Sequence, residues 1–275
     1  LAVWFARGRL VSWAFMWLMA LAIFAGCKWL TFRMATFPAR EFGWQRKLGF
    51  WLAWPGMNAA EFLGERRAEK RPSPHEWRLA AGKIILGSAL LWVGARLWLP
   101  AHPVGAGWTG MVGIIFILHF GLFQLLSLGW RRHGVVAAPM MQNPLAATSL
   151  AEFWGCRWNT AFHHLAFRFA FRPLLRVARP EMATLGVFGL SGLLHELVIS
   201  LPAGAGYGGP TIYFLVQGAG VVVERTRWGR RFELGRGVGG WIFTLLTTAV
   251  PVGLLFPPPF INNVIVPMLA AIGAT

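Results

Sequence analysis

No aspartate occurs in the 275 residues, and all ten acidic side chains are glutamates. That absence excludes a Ser-His-Asp relay, an aspartate-rich magnesium site and an aspartyl-phosphate pump. The only cysteines are Cys27, in an apolar run, and Cys156, in a basic segment. Two so placed support neither a disulfide framework nor a cysteine-zinc site, and no metal is expected. Charged residues are scarce as well, at 13% against the roughly 25% of a soluble domain. What fills the chain instead is apolar side chain, 56% of it, with 16 Trp and 22 Phe. Several apolar runs approach the roughly 20 residues that a helix needs to cross a bilayer. The expected fold is therefore an all-α integral membrane protein, a single multi-span helical bundle of about eight transmembrane or re-entrant helices.

The net charge of +16 would suggest nucleic acid as a partner of a soluble protein. Here the basic residues fall between the apolar runs, where orientation in a membrane requires them, so nucleic acid is set aside. Spans are expected at 10–30, 48–63, 79–99, 107–129, 182–201, 210–224, 238–255 and 260–274. The second and last are short and could be re-entrant or interfacial. The first, although preceded by Arg7 and Arg9, lacks a small-residue cleavage pattern and reads as a retained span. Segments 64–78, 130–180 and 225–237 carry clusters such as Arg66-Arg67, Arg131-Arg132 and Arg230-Arg231, whereas 100–106, 202–209 and 256–275 carry no Lys or Arg. The basic group is expected on the cytoplasmic side; segment 31–47, with Arg33, Arg40, Arg46 and Lys47, breaks the alternation. With 22 Arg against 4 Lys, the composition is compatible with a GC-rich bacterial source, and a bacterial protein of this kind would sit in the cytoplasmic membrane.

Segment 130–180 is the longest outside the spans. Ser149 followed by Glu152 predicts a capping box, with a helix running from 150 until Pro173 interrupts it. His164, Arg168 and Arg172 recur on one face of that helix. It either lies on anionic lipid as a basic amphipathic helix or binds phosphate, and the two roles are compatible. The strings "GAGYGG" (204–209) and "GRGVGG" (235–240) fit a dinucleotide glycine pattern but follow no strand, and they read as turns.

Ionisable groups inside a span cost about 2.5–3.5 kcal/mol on insertion scales and are functional candidates by default. His195 and Glu196, in "SGLLHELVISLP" (191–202), both qualify. Adjacent helical positions point about 100° apart, so His195 shares its face with Ser191 and Glu196 with Ser200. The plain alternative is a histidine hydrogen-bonded between helices and a glutamate neutral or paired with an arginine. A zinc protease is excluded, because Ile199 stands where H-E-x-x-H needs its second histidine. His119, in "ILHFGLF", is the other deep histidine and is expected to be structural or to line a substrate path. His163 and His164 read as surface groups, and His75, His102 and His133 as loop residues. Trp154 and Trp158, four apart, suit one helical face at a membrane boundary. Asn159 behind them could donate to a carbonyl oxygen that becomes negative during acyl transfer.

"EFWGCRWN" (152–159) followed by "SGLLHEL" (191–197) resembles the paired signature of the membrane-bound O-acyltransferase superfamily, and more narrowly its wax synthase-like branch. "WPGM" (54–57) and "LHFG" (118–121) are similar to further marks of that branch; Cys156 departs from it, standing where a basic residue is expected. The resemblance implies a multi-span helical enzyme that moves an acyl group from acyl-coenzyme A, a co-substrate, to an alcohol without a cofactor. His195 would be the base and Asn159 its partner, with Glu196 and Ser191 supporting them. Trp154, Trp158 and His119 would line the substrate path, and Arg157, Arg168 and Arg172 would hold the phosphates of acyl-coenzyme A. The expected partners are thus acyl-coenzyme A, a lipophilic alcohol and membrane lipid. A 16-carbon chain gains about 0.8 kcal/mol per buried methylene, so the chemistry must come to the lipid. Two alternatives stay open: the same fold acylating a sugar, polysaccharide or secondary metabolite, and a non-catalytic transporter or scaffold with a His195/Glu196 proton relay.

Overall fold

The computed structural model describes residues 8–35, 43–64, 68 and 70–275. Every element in it is helical. Arg40, Arg66 and Arg67, which entered the charge argument, lie outside the described residues.

Among the described residues five helices are long and apolar enough to cross a membrane: α1 (Ser12–Arg33), α4 (Pro74–Leu97), α5 (Pro103–Arg132), α8 (Pro180–Ala203) and α11 (Gly237–Leu255). No more than 28% of any of their apolar windows is buried. Leu97, Ile85, Val238 and Val250 point outward, the inverse of a soluble core and the arrangement that lipid requires. The protein is thus a multi-pass membrane protein. Helix α9 (Gly209–Arg225), at 17 residues, and the final apolar helix (Pro258–Ala271) fall short of that length. The expected span 48–63 is not a crossing. It consists of two short helices, α2 (Trp44–Leu52) and α3 (Ala59–Phe62), because Pro55 and Gly56 interrupt the run.

The chain divides into two compact units. One comprises residues 24–142, 159–165 and 273–275. In it Phe50, Trp54, Phe62 and Trp130 form an aromatic core, and the Trp130 indole N–H donates to the Ala53 carbonyl at 2.9 Å. Lys28, near the end of α1, is almost wholly buried. Its ammonium donates to the carbonyls of Trp54 and Gly56 and stands 3.9 Å from the centroid of the Phe50 ring. A buried cation satisfied by carbonyls and an aromatic face thus pins the "WPGM" turn.

The other unit comprises residues up to 23, 143–158 and 166–272. Its centre is the pair α8 and α9, which pack where glycine permits close approach. A Cβ on Gly192 would lie 2.6 Å from Thr211 Cα, and one on Gly218 would lie 3.0 Å from Phe188 Cβ. The "GAGYGG" string is a turn, as expected. Gly208 holds φ +88°, open to glycine at little cost, and its residue precedes the first turn of α9.

The segment expected as one helix from 150 to Pro173 is broken in two. Residues 150–157 form α6, whose last turn is π-helical over Phe153–Arg157, and residues 160–174 form α7. Trp158 is extended (φ −103°, ψ 120°) and Asn159 left-handed (φ +45°). The left-handed region is tolerated by Asn, whose short polar side chain suits it, so the break falls where the sequence allows it. A second π turn, Phe167–Phe171, further disrupts the expected regular spacing of His164, Arg168 and Arg172.

Candidate active site

His195 lies on α8, half-buried, and its Nδ1–H donates to the Ser191 backbone carbonyl at 2.7 Å. That bond selects the tautomer in which Nε2 carries the lone pair. Among the described residues Nε2 makes no hydrogen bond, and it is not one of the buried polar atoms sealed without a partner. The ring is therefore left with an open, basic nitrogen. Ser191 acts through its carbonyl, which any residue could supply, and not through its hydroxyl.

The opposite side of the ring is set by α9. Phe214 approaches His195 at 4.3 Å between centroids, and the Trp154 ring lies 5.5 Å from Phe214 and 5.9 Å from Phe188. Trp154 donates its indole N–H to Gln217 Oε1 at 3.3 Å, and Gln217, wholly buried, donates onward to the Thr247 carbonyl at 2.8 Å. Gln217 thus orients an aromatic wall beside His195. Sequence reading missed it, although a lone amide in "YFLVQGAG" is as costly in lipid as the groups that drew attention.

Among the described residues Glu196 is neither paired with an arginine nor bonded to Ser200. Its Oε1 accepts from Gly208 N (3.0 Å), Thr211 N (3.1 Å) and Thr211 Oγ (2.9 Å), so the carboxylate caps α9 at its N-terminus. Its Oε2 is buried without a partner among the described residues. Glu224, unremarked in the sequence, does the same for α6: its two oxygens accept from Leu150 N (2.8 Å) and Ala151 N (3.0 Å). Two glutamates at the ends of α9 therefore fix both flanks of the His195 environment.

At the start of α6, Ser149 Oγ accepts from Glu152 N at 2.9 Å, but the Glu152 carboxylate reaches Thr148 N and not Ser149 N. Hydrogen bonds from the Thr148 backbone and then from the Arg157 guanidinium hold the Glu152 carboxyl below the usual carboxylate range. A carboxyl lowered in the folded state contributes stability above its unfolded value of about 4.3 and loses it as pH falls through the lower folded value. The difference in thermal midpoint between wild type and Glu152→Gln should therefore be constant above about pH 6 and shrink between about pH 4 and pH 3. A difference that grows on acidification would contradict this assignment.

Arg157 is committed to that ion pair, with Nη2 at 2.7 Å from Glu152 and Nη1 on the Asn143 carbonyl at 3.2 Å. Arg168 and Arg172, both exposed, lie 5.8 and 5.1 Å from the Phe169 and Phe167 rings. Trp158 does not share a helical face with Trp154; being extended, it stacks on Phe153 at 5.7 Å. In the other unit, the Asn159 backbone N–H donates to Met141 Sδ at 3.3 Å, and its side-chain amide makes no hydrogen bond among the described residues. His119 there occupies a π turn (Phe116–Leu122), 5.2 Å from Phe123, with Nδ1 buried and unpartnered among the described residues.

A multi-pass helical protein with a tautomer-fixed histidine beside an aromatic wall is the class that fold and site define. Residues 137–216 match the family described as "Membrane bound O-acyl transferase family". The chain is 33% identical over 142 residues to "Probable long-chain-alcohol O-fatty-acyltransferase 7" of Arabidopsis thaliana, covering 46% of this chain and 40% of that protein. It is 29% identical over 153 residues to "Long-chain-alcohol O-fatty-acyltransferase" of Simmondsia chinensis, covering 48% and 41%. A third relative, "Acyl-CoA--sterol O-acyltransferase 1" of Arabidopsis thaliana, is 36% identical over 67 residues, covering 22% and 19%. Over these stretches the chain is similar to membrane-bound O-acyltransferases and, among them, to long-chain-alcohol O-fatty-acyltransferases. The matched region spans about two fifths of the length of the first two of these relatives.

Proposed function

We propose that the protein transfers an acyl group from acyl-coenzyme A to the hydroxyl of a lipophilic alcohol, with His195 as general base. The observation that carries this reading is the hydrogen bond from Nδ1–H to the Ser191 carbonyl, which leaves Nε2 ready to accept a proton. Nε2 takes the hydroxyl proton as the alcohol oxygen attacks the thioester carbonyl. The carbon–sulfur bond then breaks, and the coenzyme A thiolate leaves as a thiol by taking that proton back. No covalent enzyme intermediate and no cofactor is needed. Asn159 is kept as an amide donor to the oxyanion on the strength of its motif position. Trp154, Trp158 and His119 line the substrate path, and Arg168 and Arg172 attract phosphates of acyl-coenzyme A, while Arg157, assigned to them by its motif position, is held by Glu152. The protein works in the cell membrane, where both acyl chain and acceptor dissolve.

The relatives' names support a long-chain alcohol first and a sterol second as acceptor. Membranes carrying the protein, supplied with labelled long-chain acyl-coenzyme A, should form ester with long linear alcohols in preference to sterols and sugars. Asn159→Ala should lower that rate by about 10²–10³. Absence of ester with every acceptor, together with solute uptake driven by a pH gradient, would replace this reading with the transporter.

A further inference from the structure

Beyond α9 the chain turns through a short helix, α10 (Arg227–Arg231), and the loop 232–236. A cavity of about 450 Å³ opens there, lined by Arg225, Arg230, Arg236, Ser149, Glu224 and Glu233, with two glycines. Its charges are unevenly used. Glu224 is buried, and both its oxygens are occupied by the amides of Leu150 and Ala151. Glu233 pairs with Arg236 at 2.8 Å. Arg225 and Arg230 make no direct ion pair among the described residues, although the charge of Arg225 acts on Glu224, and Arg230 donates to the Arg225 carbonyl, which folds its guanidinium back over the end of α9. Two guanidinium groups thus face a concavity whose acids are already engaged, an arrangement suited to forked recognition of phosphate oxygens. Close by, Trp228 and Phe232 stack at 6.0 Å, and both are well exposed, as aromatic residues at the level of lipid headgroups are.

We propose that this cavity binds a phosphate group, carried either by a soluble nucleotide or by a lipid headgroup. The nucleotide source rests on the acyl-coenzyme A reading above; the headgroup source does not. Arg225 and Phe214 share α9, and at 1.5 Å per residue they are about 16 Å apart along its axis. That separation is of the order of an extended pantetheine arm, so a phosphate held by Arg225 and Arg230 places a thioester near the level of the ring that packs on His195. This cavity is distinct from the Arg157–Arg172 segment, where Arg157 is already bound to Glu152.

The test uses the full chain in phosphatidylcholine nanodiscs. One arm titrates adenosine 3′,5′-bisphosphate, and the other replaces part of the phosphatidylcholine with phosphatidic acid; thermal midpoint and direct binding are read in both. Wild type should respond to one arm, with a response that weakens as salt rises. Arg225→Gln and Arg230→Gln should each weaken the response about tenfold or more, as expected for loss of one charge-assisted hydrogen bond. Arg225→Lys, which keeps the charge, should retain part of it and separates binding from folding. A response to the bisphosphate assigns the nucleotide source, and a response to phosphatidic acid alone assigns the headgroup. No response in either arm, or glutamine variants that respond like wild type, overturns the proposal. Ester formation by wild type, assayed in parallel with long-chain acyl-coenzyme A, shows failure of the acyl-transfer reading separately.

Discussion

His195→Ala should lower ester formation by about 10²–10⁴-fold, the usual worth of a positioned general base. The size of the effect follows from how little else can replace the ring. Nδ1 is engaged with a backbone carbonyl one helical turn back, so the proton-accepting position is fixed by α8 itself and not by a mobile side chain. Phe214 packs on the ring at 4.3 Å and limits its rotation. Because the bond goes to the carbonyl, Ser191→Ala should keep most of the activity, although Ser191 is the residue that holds the ring. His195→Gln, a polar side chain that can still bond the carbonyl but is a poor base, should be as inactive as alanine while disturbing packing less. Unimpaired ester formation by His195→Ala would remove this residue from the chemistry.

Glu196→Ala should be the most destabilising single change in the neighbourhood. It leaves the amides of Gly208 and Thr211 and the Thr211 hydroxyl without their acceptor, at about 1–3 kcal/mol for each donor left unmet, and about 2–6 kcal/mol in total once the hydroxyl reorients. Glu196→Gln keeps an oxygen at the Oε1 position and should recover most of the thermal midpoint and of the activity. The contrast decides between two roles. A capping glutamate is rescued by glutamine, because three donors need only an acceptor. A glutamate that passes protons is not rescued, and a Glu196→Gln protein folded as well as wild type yet inactive would restore the relay reading.

The long apolar helices and the intramembrane histidine were legible in the sequence, because bilayer thickness imposes a length and hydrocarbon makes any polar group conspicuous. Local periodicity was a poorer guide between 150 and 174. A capping signal at Ser149 marked the start of a helix but said nothing about the π turn that follows or the left-handed Asn159 that ends it. Regular spacing was assumed where the backbone changes its pitch, and so Trp154 and Trp158 were placed on one face. The contacts made by Glu224 and Gln217 were hidden for a different reason. Each joins residues more than sixty positions apart in sequence, Leu150 with Glu224 and Trp154 with Gln217, and no local pattern records such a pairing. Glu196 was singled out for the right physical reason, its cost in lipid, while its partners became apparent only with the turn at Gly208 in place.

Lys28 carries a consequence for how the protein is made. An ammonium within a lipid-soluble helix is penalised until something solvates it, and here the solvating carbonyls belong to Trp54 and Gly56. When α1 leaves the ribosome those residues are still enclosed in the exit tunnel, so the helix cannot settle with its cation enclosed until Gly56 has emerged as well. The stretch from α1 through the "WPGM" turn therefore settles in the bilayer as one piece, and α1 by itself is an incomplete unit of membrane insertion.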